Sequence, residues 1–248
     1  MTPALGAEVS CGDVRALDEA AFRQVYRALL DNLVIRIRGQ TLSDPELIAF
    51  GKRLGALDFA PYAKTGKERA RTHPEIVVVS NVTENGEAIG VLRDAEVVWH
   101  SDNSYRDRPL SYSALYALEI PPRGGNTGFA NMYLALETLD PGLRKRIEGR
   151  TLKHDMTYNS AGDLREGFKP VNDVRDAPGP SHPISAPIPK PAATPCIWAG
   201  GPMPISTACR WRSPRSCSMP CGRMRRRTSS PGITNGRSAI LSSGTTAV

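Results

Sequence analysis

The sequence predicts an α+β, mainly β fold: a double-stranded β-helix of the jelly-roll kind with flanking helices. Three observations lead there. Short β-branched and aromatic runs read as strands, amphipathic segments around them read as helices, and one strand ends in a His-x-Asp pair of metal-ligand type.

From Asp18 to Asn32 the apolar residues Ala21, Phe22, Val25, Tyr26 and Leu29 recur at helical spacing, and Leu33-Val34-Ile35-Arg36-Ile37 follows as a strand. Ser43-Asp44-Pro45-Glu46 is a helix start: Ser43 is the N-cap, Pro45 lies in the first turn and Glu46 sits three residues on. That helix runs to about Leu54 and Gly55 ends it. Ile76 to Val82 and Ala95 to His100 read as strands, joined through a segment in which Glu84-Asn85-Gly86 signals a turn. Ser111 to Leu118 and Thr127 to Ala130 add two more strands. Pro141 to Arg150 reads as a charged amphipathic helix, and Thr157 to Ser181 as a loop long enough for a lid.

A chain of 248 residues suffices for one domain with a sizeable core. No run of about eighteen apolar residues occurs and the N-terminus lacks a charged segment followed by an apolar one, so neither a membrane span nor a signal peptide is expected. The default compartment is the cytoplasm. The net charge of +7 suggests nucleic acid only until its distribution is read. Residues 1–176 hold all 25 Asp and Glu but 23 of the 32 Lys and Arg, so this body is net −2. Past the last acid, Asp176, no Phe or Tyr remains, and Cys196, Cys209, Cys217 and Cys221 lie there among Pro, Ser and Arg. A disordered basic tail, a metal-binding cysteine segment and a stretch translated out of frame would each produce that shift.

The chemistry centres on Trp99-His100-Ser101-Asp102, with Thr127 twenty-seven positions after the histidine. On a strand, residues two apart share a face, so His100 and Asp102 can aim at one cation. An imidazole and a carboxylate so placed are two members of the 2-His-1-carboxylate triad, which binds Fe(II) and leaves positions open opposite. Alone the motif is weak: with four histidines and roughly 5% Asp usage, a bare His-x-Asp arises by chance about one time in five.

The succession around it sharpens the reading: Trp99-His100-Ser101-Asp102, then Pro109-Leu110-Ser111-Tyr112-Ser113-Ala114-Leu115-Tyr116, then Pro121-Pro122-Arg123-Gly124-Gly125-Asn126-Thr127-Gly128-Phe129-Ala130-Asn131. In this order it resembles the taurine dioxygenase and 2,4-dichlorophenoxyacetate dioxygenase family of Fe(II)/2-oxoglutarate-dependent oxygenases, over roughly residues 15 to 184. The resemblance implies the jelly-roll fold. It implies His100 and Asp102 as iron ligands and catalytic residues, and 2-oxoglutarate as cosubstrate. Thr127 would help to bind the distal carboxylate of that cosubstrate, and Tyr62 stands where family members contact substrate. It implies dioxygen and a small organic acid, of the sulfonate, sulfate ester or aryloxyacid class, as the other reactants: the cosubstrate is oxidatively decarboxylated to succinate, and a substrate C–H bond is hydroxylated. Strand filling is the lesser reading of Thr127, whereas for Tyr62 an ordinary loop tyrosine is the better one.

The same resemblance bears on the tail. Read one base out of register, Pro231 to Val248 permits the string WHHEWKVGDLVIWDNRC followed by Val, which looks like the family's approach to its second iron histidine. Upstream, SAPIPKPAATPCIWA from Ser185 permits RTHPETGRNALYLG, another family-like segment. Two separate stretches agree on one shift after about Ile184. The sequence thus divides into the N-terminal and central part of a dioxygenase domain (1–184) and a frameshifted, largely irregular tail (185–248). The roll would then be incomplete, with open edges, and the second histidine and the 2-oxoglutarate arginine beyond it would be missing, leaving an impaired enzyme.

Other residues carry blander readings. Trp99 is expected to pack as core beside the site, and His73, His154 and His182 have no ligand-like partner at strand spacing. Cys209, Cys217 and Cys221 lack a fourth zinc ligand nearby. The Arg223 to Arg227 cluster keeps open a rival of another class, a non-catalytic binding protein whose basic tail contacts nucleic acid or a partner, although the acidic body argues against nucleic acid. A homo-oligomer stays open.

Overall fold

A computed structural model describes residues 5–59, 72–92, 99–120, 122–123, 126–159, 162–165, 167–187, 195–197, 205–206 and 238–243. Among these, no helix is long and apolar enough to cross a membrane.

The N-terminal part builds the main core. Helix α1 (Glu19–Asn32) starts at Asp18, whose carboxylate accepts the Ala21 N–H at 2.7 Å, and buries Phe22, Val25, Leu29 and Leu30. Leu33, at φ +67°, stops the helix and donates its N–H to the Leu29 carbonyl at 2.8 Å. The chain turns straight into β2 (Val34–Arg38), which runs parallel to β1 (Ala7–Glu8). Ile35 and Ile37 enter the core while Arg36 and Arg38, on the other face, hold Glu8 at 2.6 and 3.0 Å. Helix α2 (Asp44–Leu54) begins as the sequence predicts, with Ser43 N–H and Oγ both donating to the Glu46 carboxylate at 2.7 and 2.8 Å. It sets Phe50 edge-on to Phe22 with 6.2 Å between ring centres, and the core closes with Val14, Leu17 and Leu42.

Further along, β3 (Val79–Ser80) pairs in parallel with β6 (Val91–Leu92), and β4 (Thr83–Glu84) forms a hairpin with β5 (Glu87–Ala88) over the predicted Asn85-Gly86 turn. The longer strand expected over 76–82 shrinks to two residues because this segment finds little to pack on: Val77, Val79 and Val82 are exposed. β7 (Tyr112–Tyr116) lies within the run expected for it and is tied to α1 by a 2.8 Å bond between the Tyr26 and Tyr112 hydroxyls. Thr127 to Ala130 is not a strand; Asn131 instead caps a short helix, α3 (Met132–Glu137), by accepting the Leu134 N–H. Helix α4 (Pro141–Ile147) follows, three residues shorter than expected.

A second, smaller core of Leu136, Ile147 and Ile184 lies under a sheet in which β8 (Thr151–Lys153) runs between β9 (Ser181–Pro183) and β12 (Ile205–Ser206). The segment expected as a lid contains a 3₁₀ turn at Val174–Asp176 and a bridge from Tyr158 to Leu164.

The tail departs from the irregularity expected of it wherever it is described. β10 (Ser185–Pro187) pairs antiparallel with β11 (Pro195–Ile197). More consequentially, β13 (Ser238–Ser243) enters the main sheet between β2 and β7, antiparallel to both, giving the order β1-β2-β13-β7. The reason is the backbone: β2 and β7 each present a row of N–H and C=O groups that need partners, and residues 238–243 supply them.

Candidate metal-binding turn

His100 and Asp102 converge, although not by the route the sequence suggests. Residues 95–98 lie outside the described residues, and from Trp99 the chain is a bend leading into a turn over Asp102–Tyr105 rather than a strand. Two backbone bonds shape it, Ser104 N–H to Ser101 O at 3.3 Å and Arg106 N–H to Asn103 O at 3.0 Å, and Asn103 takes φ +49°, where Asn is tolerated. Ser101 and Ser104 are buried beneath it. The two candidate ligands end with His100 Nε2 3.2 Å from Asp102 Oδ1, the imidazole 13% and the carboxylate 35% exposed.

That separation fits one cation. Ligand bonds of about 2.1 Å meeting at a right angle, as at adjacent vertices of an octahedron, put donor atoms about 3 Å apart. Burial pushes the Asp102 carboxyl up, but the hydrogen bonds from His100 and Ser113 outweigh it and hold the group below its ordinary value. Ser113, which the sequence did not single out, donates from Oγ to Asp102 Oδ2 at 2.6 Å. Among the described residues no cluster of three or more His, Cys, Asp or Glu could hold a metal, so the pair supplies two ligands and no third is seen with them.

The other predicted site residues are Thr127 and Tyr62. Thr127 is half-buried in a stretch without regular structure, and among the described residues it makes no hydrogen bond or ion pair with either ligand. Tyr62 lies outside the described residues. Trp99 is 59% exposed, not core: the chain presents His100 inward, and the neighbouring side chain points the other way.

Sequence reasoning also missed the clamp on the far side of the turn. Asp58 accepts from Asn103 Nδ2 at 3.0 Å and pairs with Arg106 Nε at 3.0 Å, while Tyr105 donates to Asn103 Oδ1 at 2.8 Å. Arg165 lies over the Tyr105 ring at 4.4 Å. No local signal joins Asp58 to Asn103 across so much chain; only the fold does. Behind the turn, His182 Nε2 lies 2.9 Å from the Arg106 carbonyl, and its ring meets that of His154 edge-on at 5.0 Å.

Burial first, and the neighbouring His182 second, pull the His154 pKa down from 6.5 to about 4. Between those values the unfolded chain binds a proton that the folded chain refuses, so stability rises with pH across that window and falls on acidification. Denaturant titrations from pH 7 to pH 4.5 are expected to show this loss, and His154→Gln to flatten the slope. An unaltered slope would show that His154 does not contribute.

Residues 1–197 match the family described as taurine catabolism dioxygenase TauD, TfdA family. The chain belongs to that family. Within it, pentalenolactone F synthase of Streptomyces avermitilis is 34% identical over 174 residues, covering 68% of this chain and 53% of that protein. The alpha-ketoglutarate-dependent 2,4-dichlorophenoxyacetate dioxygenase of Cupriavidus pinatubonensis is 33% identical over 190 residues, covering 68% and 64%. The chain therefore spans 53% and 64% of these two relatives' lengths. The fold is shared with solved structures at low identity: AAD-2 in complex with Mn(II) and N-oxalylglycine (TM-score 0.65, 20% identity, 100% of this chain and 88% of that one) and a taurine dioxygenase from Burkholderia xenovorans (TM-score 0.62, 20% identity, 98% and 79%). These TauD-like neighbours combine helices and strands as this chain does.

Proposed function

We propose that this chain carries most of an Fe(II)- and 2-oxoglutarate-dependent dioxygenase that hydroxylates a small organic acid of the sulfonate, sulfate ester or aryloxyacid class, on a jelly-roll scaffold. The observation that carries the reading is the 3.2 Å approach of His100 Nε2 to Asp102 Oδ1, an imidazole and a carboxylate at the spacing of neighbouring metal ligands. Relatives named for alpha-ketoglutarate-dependent turnover of 2,4-dichlorophenoxyacetate and (S)-phenoxypropionate support it. In this reading His100 and Asp102 hold the iron, which supplies the activation of dioxygen. Thr127 takes part in binding the 2-oxoglutarate carboxylate, and Tyr62 faces the substrate.

The reading extends to the tail: residues 1–184 are the N-terminal and central part of the domain, and 185–248 follow a shift of frame. Two strands support this. In the β10–β11 ladder Pro187 stands opposite Pro195, two residues without an N–H in a structure built on N–H groups. The shifted frame permits Tyr at 197 and Val-Ile at 242–243, residues suited to strands. In this reading no residue of 185–248 serves as the second iron histidine or the cosubstrate arginine, and a polypeptide without them would be impaired.

A Mn(II) titration of the full chain, followed by the paramagnetic resonance signal of the free ion, tests the site. His100→Ala and Asp102→Ala are each expected to weaken binding by about 100-fold or more, beyond the loss usual for supporting residues. Unchanged affinity in both variants overturns the assignment.

A further inference from the structure

Resting on that reading of the turn, we infer that Ser113 is a positioning residue that makes Asp102 a one-oxygen metal ligand. The two carboxylate oxygens have different surroundings: Oδ1 faces His100 Nε2 at 3.2 Å, while Oδ2 receives the Ser113 hydroxyl at 2.6 Å. A hydroxyl donating to a carboxylate at this distance makes a charge-assisted bond, stronger than one between neutral groups. The carboxyl torsion of an Asp is broad and roughly two-fold, so without such a bond either oxygen, or both, could face the cation.

Ser113 is itself rigidly held. It sits on β7, its backbone in register with Ser242 of β13. The residues around it are fastened from their own sides, Tyr112 through the Tyr26 hydroxyl at 2.8 Å and Tyr116 through the Leu42 N–H at 2.9 Å and the Gln40 carbonyl at 3.3 Å. The asymmetry therefore belongs to the sheet and is imposed on a turn that has no regular structure of its own. Its consequence is a matter of coordination number. A carboxylate bound through both oxygens takes two of six positions, whereas one held back at Oδ2 takes one, and the position saved stays open to other ligands.

The test compares Ser113→Thr with Ser113→Val in the full chain, a pair of nearly equal shape that differ in the hydroxyl, with Mn(II) as the probe. Ser113→Val is expected to bind Mn(II) 10- to 100-fold more weakly than the parent, and Ser113→Thr within about threefold of it, with similar melting temperatures for the two variants. A purely structural role would move melting and leave the affinities alike. Equal Mn(II) affinity in the Thr and Val variants, with His100→Ala still losing the ion, overturns the role of Ser113 and leaves the site standing. No Mn(II) binding by the parent chain, or no loss with His100→Ala, overturns the site and this inference together.

Discussion

In the proposed reading of the tail, restoring the frame after the codon for Ile184 is expected to raise 2-oxoglutarate turnover about 100-fold or more, because that reading assigns the chain two separate deficits. A carboxylate left without its arginine costs about 1–3 kcal/mol, and more when charged, which alone is roughly a factor of 5 to 150. A third protein ligand then strengthens metal retention further. Iron-dependent succinate formation, normalised to folded protein, measures the difference between the 248-residue chain and its frame-restored counterpart. Offering a sulfonate and a phenoxyacetate in parallel reports the substrate class in the same experiment. Equal turnover by the two proteins would sink the frame reading, and turnover by neither would sink the enzyme reading.

Gly179→Ala is expected to unfold the layer behind the turn. Gly179 has φ +127°, a conformation L side chains rarely adopt, and a Cβ there would meet the His154 carbonyl oxygen at 2.0 Å. The obstacle is backbone, so no side chain can swing aside. The Met156 and His154 N–H groups donate to the carbonyls of Pro178 and Pro180, each at 2.9 Å, so moving Gly179 away loosens both bonds. Strain of about 1–3 kcal/mol plus two weakened hydrogen bonds of about 1 kcal/mol each gives a loss of roughly 3–5 kcal/mol. Chemical denaturation is the direct measure, and a loss below about 1 kcal/mol would mean that the segment relaxes freely.

The sequence was most informative where a local rule decides the structure. Asp18 begins a helix because its carboxylate accepts the Ala21 N–H, Ser43 because the Glu46 carboxylate reaches back to its N–H and hydroxyl, and Phe22, Val25 and Leu29 face inward because of their helical spacing. The proposed metal pair was legible for a different reason: the succession of motifs around His100 and Asp102, rather than the pair alone, marks it out. Its geometry was not, since a turn around Asn103, not strand alternation, brings the donors together. What escaped notice is what long-range pairing supplies. Ser113 looks like any polar strand residue until the sheet sets it against Asp102, and Asp58 acquires meaning only beside Asn103 and Arg106. The strand expected at 127–130 failed because nothing local can show whether a partner strand exists for it.

The position of β13 bears on how the protein is made. Residues 238–243 fill the gap between β2 and β7, strands synthesised about 200 and about 125 residues before them. Until they arrive, two finished strands flank an empty lane, and any extended peptide that reaches it first can occupy it. Nascent chains of this protein are therefore expected to depend on chaperones for longer than their early helices suggest.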